Sequence, residues 1–253
     1  MRTKKVLFLV IIGLCIVLSI QKAEAQDSPI MYTVVDYIKV KPENQTQVDN
    51  IINTWEKHYK QKIDEKKLAL WVFQEVITSK GTADEYNYVS VYFYSGSKAF
   101  AESNDKSMIL SNPVFEVVRK DVYTQTMVNG KLDKMPKIMW VQSIKLKPTK
   151  TFADFMKVER QLSKSIDDKL ISNGDLLTSQ VYNRVYPNGT STNFDLVRLY
   201  GYNDLEQMLN FAPKYNKVFS EANPNFAGLD YKFGLSEIYK VEAWALKACS
   251  CQN

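Results

Sequence analysis

The chain has 253 residues, 45% hydrophobic and 24% charged, the make-up of an ordinary globular protein rather than a disordered or fibrous one. Its formal net charge is +5 and no block of basic residues concentrates it, so the sequence carries no electrostatic footprint for nucleic acid. One histidine, nine glycines and three cysteines leave little material for a histidine-built metal site, a phosphate-cradling loop or a disulfide framework.

Arg2, Lys4 and Lys5 precede an unbroken apolar run from Val6 to Ile20, and Ala23-Glu24-Ala25 follows as a small-x-small cleavage site. This pattern predicts a secretion signal over residues 1–25. The run is shorter than the ~20 residues a spanning helix needs. The mature chain is therefore expected to be exported, periplasmic or secreted, with no hold on a membrane once the signal is cut.

Residues 31–40 alternate as a strand, with Val34, Ile38 and Val40 on one face. Pro42 then opens a helix over residues 43–66, whose Val48, Ile51, Ile52, Trp55 and Tyr59 form one stripe. Residues 68–78 and 86–94 read as strands dense in β-branched and aromatic side chains. Helical pieces are predicted over 98–103 and 113–120, and a fourth strand over 121–128, stopped by Asn129-Gly130.

The second half follows the same order. A strand over 137–146 leads through Pro148 to a helix over 152–172 with Phe155, Val158, Leu162 and Ile166 on its stripe. Asn173-Gly174 ends that helix. Strands over 176–186 and 194–202, helices over 204–211 and 213–221, and a strand over 236–245 complete it.

The two halves also echo each other literally. Tyr37-Ile38-Lys39-Val40-Lys41-Pro42 returns as Ser143-Ile144-Lys145-Leu146-Lys147-Pro148, and Asp121-Val122-Tyr123 as Glu237-Ile238-Tyr239. A repeat of this length is a small domain, longer than a solenoid unit. Two β-α-β-β-α-β units make two ferredoxin-like folds, each with helices on one face of its sheet. The other face is too aromatic to meet water, and pressing two such faces together closes a barrel. The expected fold is thus α+β: a first module over 26–130, a linker over 131–136, a second module over 137–248 and a tail over 249–253.

This order, with its duplicated strand-Lys-Pro-helix start, resembles the dimeric α/β-barrel superfamily, which includes antibiotic-biosynthesis monooxygenase-like, NIPSNAP-like and stress-responsive barrel proteins. The resemblance spans residues 31–246 and carries no catalytic signature. It implies that one chain here builds the barrel that other members build from two subunits, so a monomer is expected, with a homodimer through the helical faces as the alternative. Heme-degrading members place a histidine on a helix above a barrel cleft, which singles out His58 as the one position for such a ligand. It lies on the first helix rather than a later one, and no cofactor is expected.

The candidate site residues are polar groups set among apolar strands. Asp36 lies between Val34 and Ile38, and Gln142 holds the matching place between Trp140 and Ile144. Glu75 shares a face with Trp71, Phe73 and Ile77; Arg184 shares one with Tyr182 and Tyr186; Arg198 lies between Leu196 and Tyr200. If these faces line the barrel, Asp36 or Glu75 would serve as a base, and Gln142, Tyr182, Arg184 and Arg198 would hold a ligand. If they point outward, they are structural ion pairs. Tyr32, Tyr88 and Trp244 are expected to pack. Two functions of different class remain open: a protein that binds a small aromatic or apolar molecule or a partner, and a cofactor-free monooxygenase, isomerase or cyclase. Cys249 and Cys251, one residue apart, are poorly placed for a mutual bridge and read as an incidental tail.

Overall fold

The computed structural model describes residues 30–80, 85–103, 111–130, 134–187, 194–222 and 231–246. The expected signal at 1–25 and the Cys249/Cys251 tail lie outside the described residues. Eight strands form a closed antiparallel barrel in the order β1-β3-β2-β8-β5-β7-β6-β4, with β4 returning to β1. The strands are β1 (Met31–Lys39), β2 (Leu70–Lys80), β3 (Tyr88–Ser95), β4 (Glu116–Asn129), β5 (Ile138–Leu146), β6 (Thr178–Tyr186), β7 (Leu196–Tyr202) and β8 (Tyr231–Leu246). Among the described residues, closure leaves no unpaired sheet edge.

Helices cover the outer face. A 3-10 turn at Pro42–Gln47 feeds α1 (Val48–Asp64), which buries Val48, Ile52, Trp55, Tyr59 and Ile63 against Trp71, Phe73 and Ile38. Helix α2 (Gly96–Ala101) is short. On the other half, α3 (Phe152–Val158) runs through a π turn at Glu159–Ser163 into α4 (Lys164–Ser172), and α5 (Leu205–Leu209) precedes α6 (Phe211–Ala222). Thr151 and Asp154 form a reciprocal capping box at the start of α3.

Contacts at echoed positions recur. Val40 N–H donates to Asn87 Oδ1 (2.8 Å), and Leu146 N–H donates to Asp195 Oδ2 (3.0 Å). Both long helices end in a residue with positive φ, Lys66 (60°) and Gly174 (75°). Each end is closed by the same pair of backbone bonds, Lys67 N to Lys62 O with Lys66 N to Ile63 O, and Asp175 N to Leu170 O with Gly174 N to Ile171 O.

Three expectations change. Residues 116–120, predicted helical, begin β4 instead, where Glu116, Val117 and Arg119 pair with Lys39, Ile38 and Tyr37. Val117 and Val118 suit a pleated surface, and the open edge of β1 decides the matter. Strand β8 starts at Tyr231, five residues earlier than predicted, because it must reach both Leu146 of β5 and Leu70 of β2. Trp244, expected to pack, is 44% exposed, whereas Tyr88 is buried.

Candidate functional site

Strand alternation sends Thr33, Val35, Tyr37, Val72, Gln74, Val91, Phe93, Val141, Val197 and Leu199 into the barrel, where they enclose a cavity of about 200 Å³. No lysine, arginine, aspartate or glutamate lines it among the described residues. Gln74, Gln125, Gln180 and Tyr182 supply polar atoms on its wall. Three of them satisfy each other: Tyr182 Oη donates to Gln180 Oε1, and Gln125 Nε2 donates to Gln180 Oε1 (3.0 Å) and Tyr182 Oη (3.1 Å). Gln74 Nε2 points at Met139 Sδ, 2.8 Å away.

Tyrosines form the floor, backed by buried carboxylates. Tyr239 Oη donates to Glu237 Oε2 (2.6 Å), and Tyr86 Oη reaches both oxygens of Glu237 at 2.6 and 2.7 Å. Tyr123 Oη donates to Asp121 Oδ2 (2.9 Å) and lies 3.4 Å from Tyr37 Oη. Asp121 is fully buried and is held by Arg184 Nη2 (2.9 Å) and Arg119 Nε (3.4 Å). The Arg119 guanidinium lies over the Tyr37 ring at 3.6 Å, and that of Arg184 over Phe194 at 4.3 Å. Burial pushes Glu237 above its ordinary carboxylate value, and the Tyr239 and Tyr86 hydroxyls and Arg119 hold it back. Burial likewise raises Tyr37 to about 12.

This geometry fixes hydrogen-bond polarity. The Tyr239 and Tyr123 protons are committed to carboxylates, and Tyr123, already donating, accepts from Tyr37. With those protons spent, Tyr37, Tyr123 and Tyr239 have only oxygen lone pairs left to offer a ligand.

The sequence-predicted residues do not gather in this cavity. Tyr182 lines it, and Arg184 reaches its polar floor through Asp121. Asp36, Glu75, Gln142 and Arg198 lie on the outer face instead. Asp36 is fully buried there, 3.2 Å from Lys120 Nζ. Glu75 is half-buried beside Glu242, and burial together with that neighbour raises its pKa. Gln142 and Arg198 are cross-strand partners on β5 and β7. The reason is parity: β1 sends its odd residues inward, so Asp36 faces the helices with Val34 and Ile38, and β2 sends its even residues inward, so Glu75 follows Trp71 and Phe73 outward.

Arg198 pairs with Glu159 of the π turn, and both are buried. Asp167, two helical turns further on, is also fully buried, and burial lifts it to about 6 while Ser179, Arg198 and Asn129 hold it back. Ser179 and Asn129 face Asp167 without a well-aligned hydrogen bond to it.

The carboxylates that do back the lumen were visible as the echo Asp121-Val122-Tyr123 and Glu237-Ile238-Tyr239. An acid two residues before a tyrosine on a strand puts both on one face, close enough for the phenol to donate to the acid. Nothing in the sequence marked that face as the inner one.

No family model matches the chain, and no curated protein matches it. Solved structures do. A candidate monooxygenase from Lactobacillus acidophilus is 10% identical over 87% of this chain and 97% of its own, with a TM-score of 0.56. A second, from Fusobacterium nucleatum, is 13% identical over 88% and 97%, with a TM-score of 0.52. A chlorite dismutase from Candidatus Nitrospira defluvii is 8% identical over 88% and 95%, with a TM-score of 0.51. At these identities the likeness shows the fold alone, a closed barrel of eight antiparallel strands with helices on its outer face.

Proposed function

We propose that the protein is an exported small-molecule-binding barrel whose lumen takes a compact aromatic ligand with a hydroxyl or N–H at one end. The carrying observation is the pairing of an uncharged, largely apolar cavity with a floor of tyrosine oxygens whose protons are already spent. A cavity of about 200 Å³ suits a single substituted ring, given that an engineered apolar cavity of about 150 Å³ holds benzene. A ligand charge would be stranded there without a counter-ion. Gln74 and the Gln125–Gln180–Tyr182 group place a few polar atoms around the ring, the usual composition of a small-ligand site.

The reading extends to architecture. The strand orders β4-β1-β3-β2 and β8-β5-β7-β6, together with the recurring contacts, support two tandem ferredoxin-like modules folded face to face in one chain. Such a chain needs no partner to close its barrel and is expected to run as a monomer. Export rests on the residue pattern at 1–25.

A second reading, a cofactor-free oxygenase or isomerase, draws on Glu237. A buried carboxylate of raised pKa, reached through Tyr239, would accept a proton from a ligand hydroxyl by way of that phenol. It takes the role that the sequence pattern assigned to Asp36 or Glu75. The monooxygenase names of two structural neighbours accord with it. Heme, for which a neighbour from Thermus thermophilus is named (8% identity, 84% of this chain and 91% of that one, TM-score 0.50), does not fit the lumen. The cavity is too small for a porphyrin, no histidine lines it, and His58 stands on the outer face.

Methyl NMR of the mature chain titrated with phenol and with anisole tests the binding reading. Phenol should shift the Val35, Val91 and Leu199 methyls and bind several-fold tighter than anisole, which lacks the donor. Equal affinities would remove the donor requirement, and unshifted methyls would remove the lumen site. Glu237→Gln separates the second reading: oxygen uptake or isomerisation that survives the substitution would exclude Glu237 as base.

A further inference from the structure

Outside the barrel, a cleft of about 750 Å³ opens between α1, α2 and the outer face of β1, β3 and β4. Its volume falls within the ~300–1,000 Å³ of small-molecule sites. Asp36, Tyr92 and Val122 lie at its base, and His58 and Tyr59 of α1 form a wall. The aromatic side is continuous: Tyr59 meets Tyr92 edge-on at 5.4 Å, Tyr94 meets Phe100 at 6.0 Å, and Phe100 stacks on Tyr32 at 5.0 Å. Five lysines line the cleft, Lys62, Lys66, Lys67, Lys98 and Lys120, against three carboxylates, Asp36, Glu65 and Glu102. Its charge is therefore net positive, whereas the lumen lining is uncharged.

Lysines near the end of α1 have an ordinary explanation, since cations there complement the helix dipole. That covers Lys62. Lys98 and Lys120, from α2 and β4, are accounted for by Glu102 (3.9 Å) and Asp36 (3.2 Å). Neither account covers Lys66, which holds the left-handed conformation at φ 60°, where the other half places Gly174. A lysine there is strained where a glycine would be free. Strain held at a cleft rim points to a use for the side chain.

We propose that this cleft is a second ligand site, for an organic anion with an aromatic body, such as a one- or two-ring aromatic carboxylate. The rings would lie against Tyr92, Tyr94 and Phe100, and the carboxylate would face the lysine rim at Lys62 and Lys66. Arene stacking and cation pairing favour the same orientation.

Calorimetric titration of the full chain with 2-naphthoate and with its uncharged counterpart 2-naphthamide decides the matter. Naphthoate should bind more tightly, and its advantage should shrink in about 1 M salt. Lys62→Gln and Lys66→Gly should each weaken naphthoate by about threefold, the scale of one exposed ion pair, and leave naphthamide unchanged. Lys66→Gly should melt at the same or a higher temperature, because glycine relieves the backbone, so its lost affinity is separable from lost folding. Equal binding of the two ligands, no naphthoate binding at all, or naphthoate binding indifferent to both substitutions would each overturn the proposal.

Discussion

The outer face of the barrel is used in two opposite ways. On the first half, the space between helices and sheet opens as a cleft with Asp36 at its base and lysines at its rim. On the second half, the charged groups are sealed in: Arg198 (2% exposed) and Glu159 (0%) pair beneath the π turn, and Asp167 (0%) lies in the same helix-sheet layer. Strand position does not dictate the choice, since Asp36 and Gln142 occupy echoed places. The helix above does. An i→i+5 turn at Glu159–Ser163 inserts a residue and swings Glu159, Ser163 and Asp167 onto the buried face. Regular α1 instead keeps Ile52, Trp55 and Tyr59 there.

The sharpest way to break this comparison is to remove one cation from each half. Arg198→Ala leaves Glu159 buried without its partner and should cost about 3–5 kcal/mol in urea denaturation. Lys120→Met removes a partner from Asp36, but Lys120 is 45% exposed, so the loss should be about 1 kcal/mol. Equal losses would mean that the first-half cleft is as dry as the second half.

Next in size is a pH effect. Asp167 in the folded chain titrates near 6, above its unfolded value of about 4. The native state therefore holds the proton more firmly, and this contribution is whole below about pH 4 and lost as pH rises through 6. Asp167→Asn should be close to neutral at pH 4 and stabilising at pH 8, by on the order of 2–3 kcal/mol. A gain that is the same at both pH values would show that Asp167 is not titrating.

The inner face supplies a smaller test. Tyr239→Phe removes a donor from buried Glu237 while Tyr86 remains, so a loss of about 1–2 kcal/mol is expected by thermal or chemical unfolding. The smallest effect runs the other way: Lys66→Gly should gain up to about 1 kcal/mol by relieving the left-handed backbone. A loss there would mean that the Lys66 side chain packs as well as charges the rim.

Much of this arrangement could be read from the residues. Strand composition and the echoed strand-Lys-Pro-helix start placed six of the eight strands to within about two residues, while β4 and β8 each begin five residues earlier than expected. The missed stretch at 116–120 shows the limit, because its local pattern fits a helix and only the unpaired edge of β1 makes it a strand. The candidate site was less legible, for a related reason. Strands buried on both faces carry apolar residues on both, so alternation marks two faces without saying which is the lumen. Asp36 and Glu75 were identified as polar groups within apolar strands, and of the two faces left open for them they take the outer one. Glu159 and Asp167 left no signal, since a π turn shifts the helical phase and their neighbours Val158, Leu162 and Ile166 suggested a regular apolar stripe.

Strand β8 bridges β2 and β5, so one wall of the barrel is missing until it arrives. Its pairing of Leu70 with Leu246 joins points far apart along the chain. Contacts of such long range make folding slow, because loop-closure entropy is lost before any pairing rewards it. The order of synthesis thus becomes a timer: a growing chain can form local helices and hairpins, yet it has no closed barrel until nearly all of it is available.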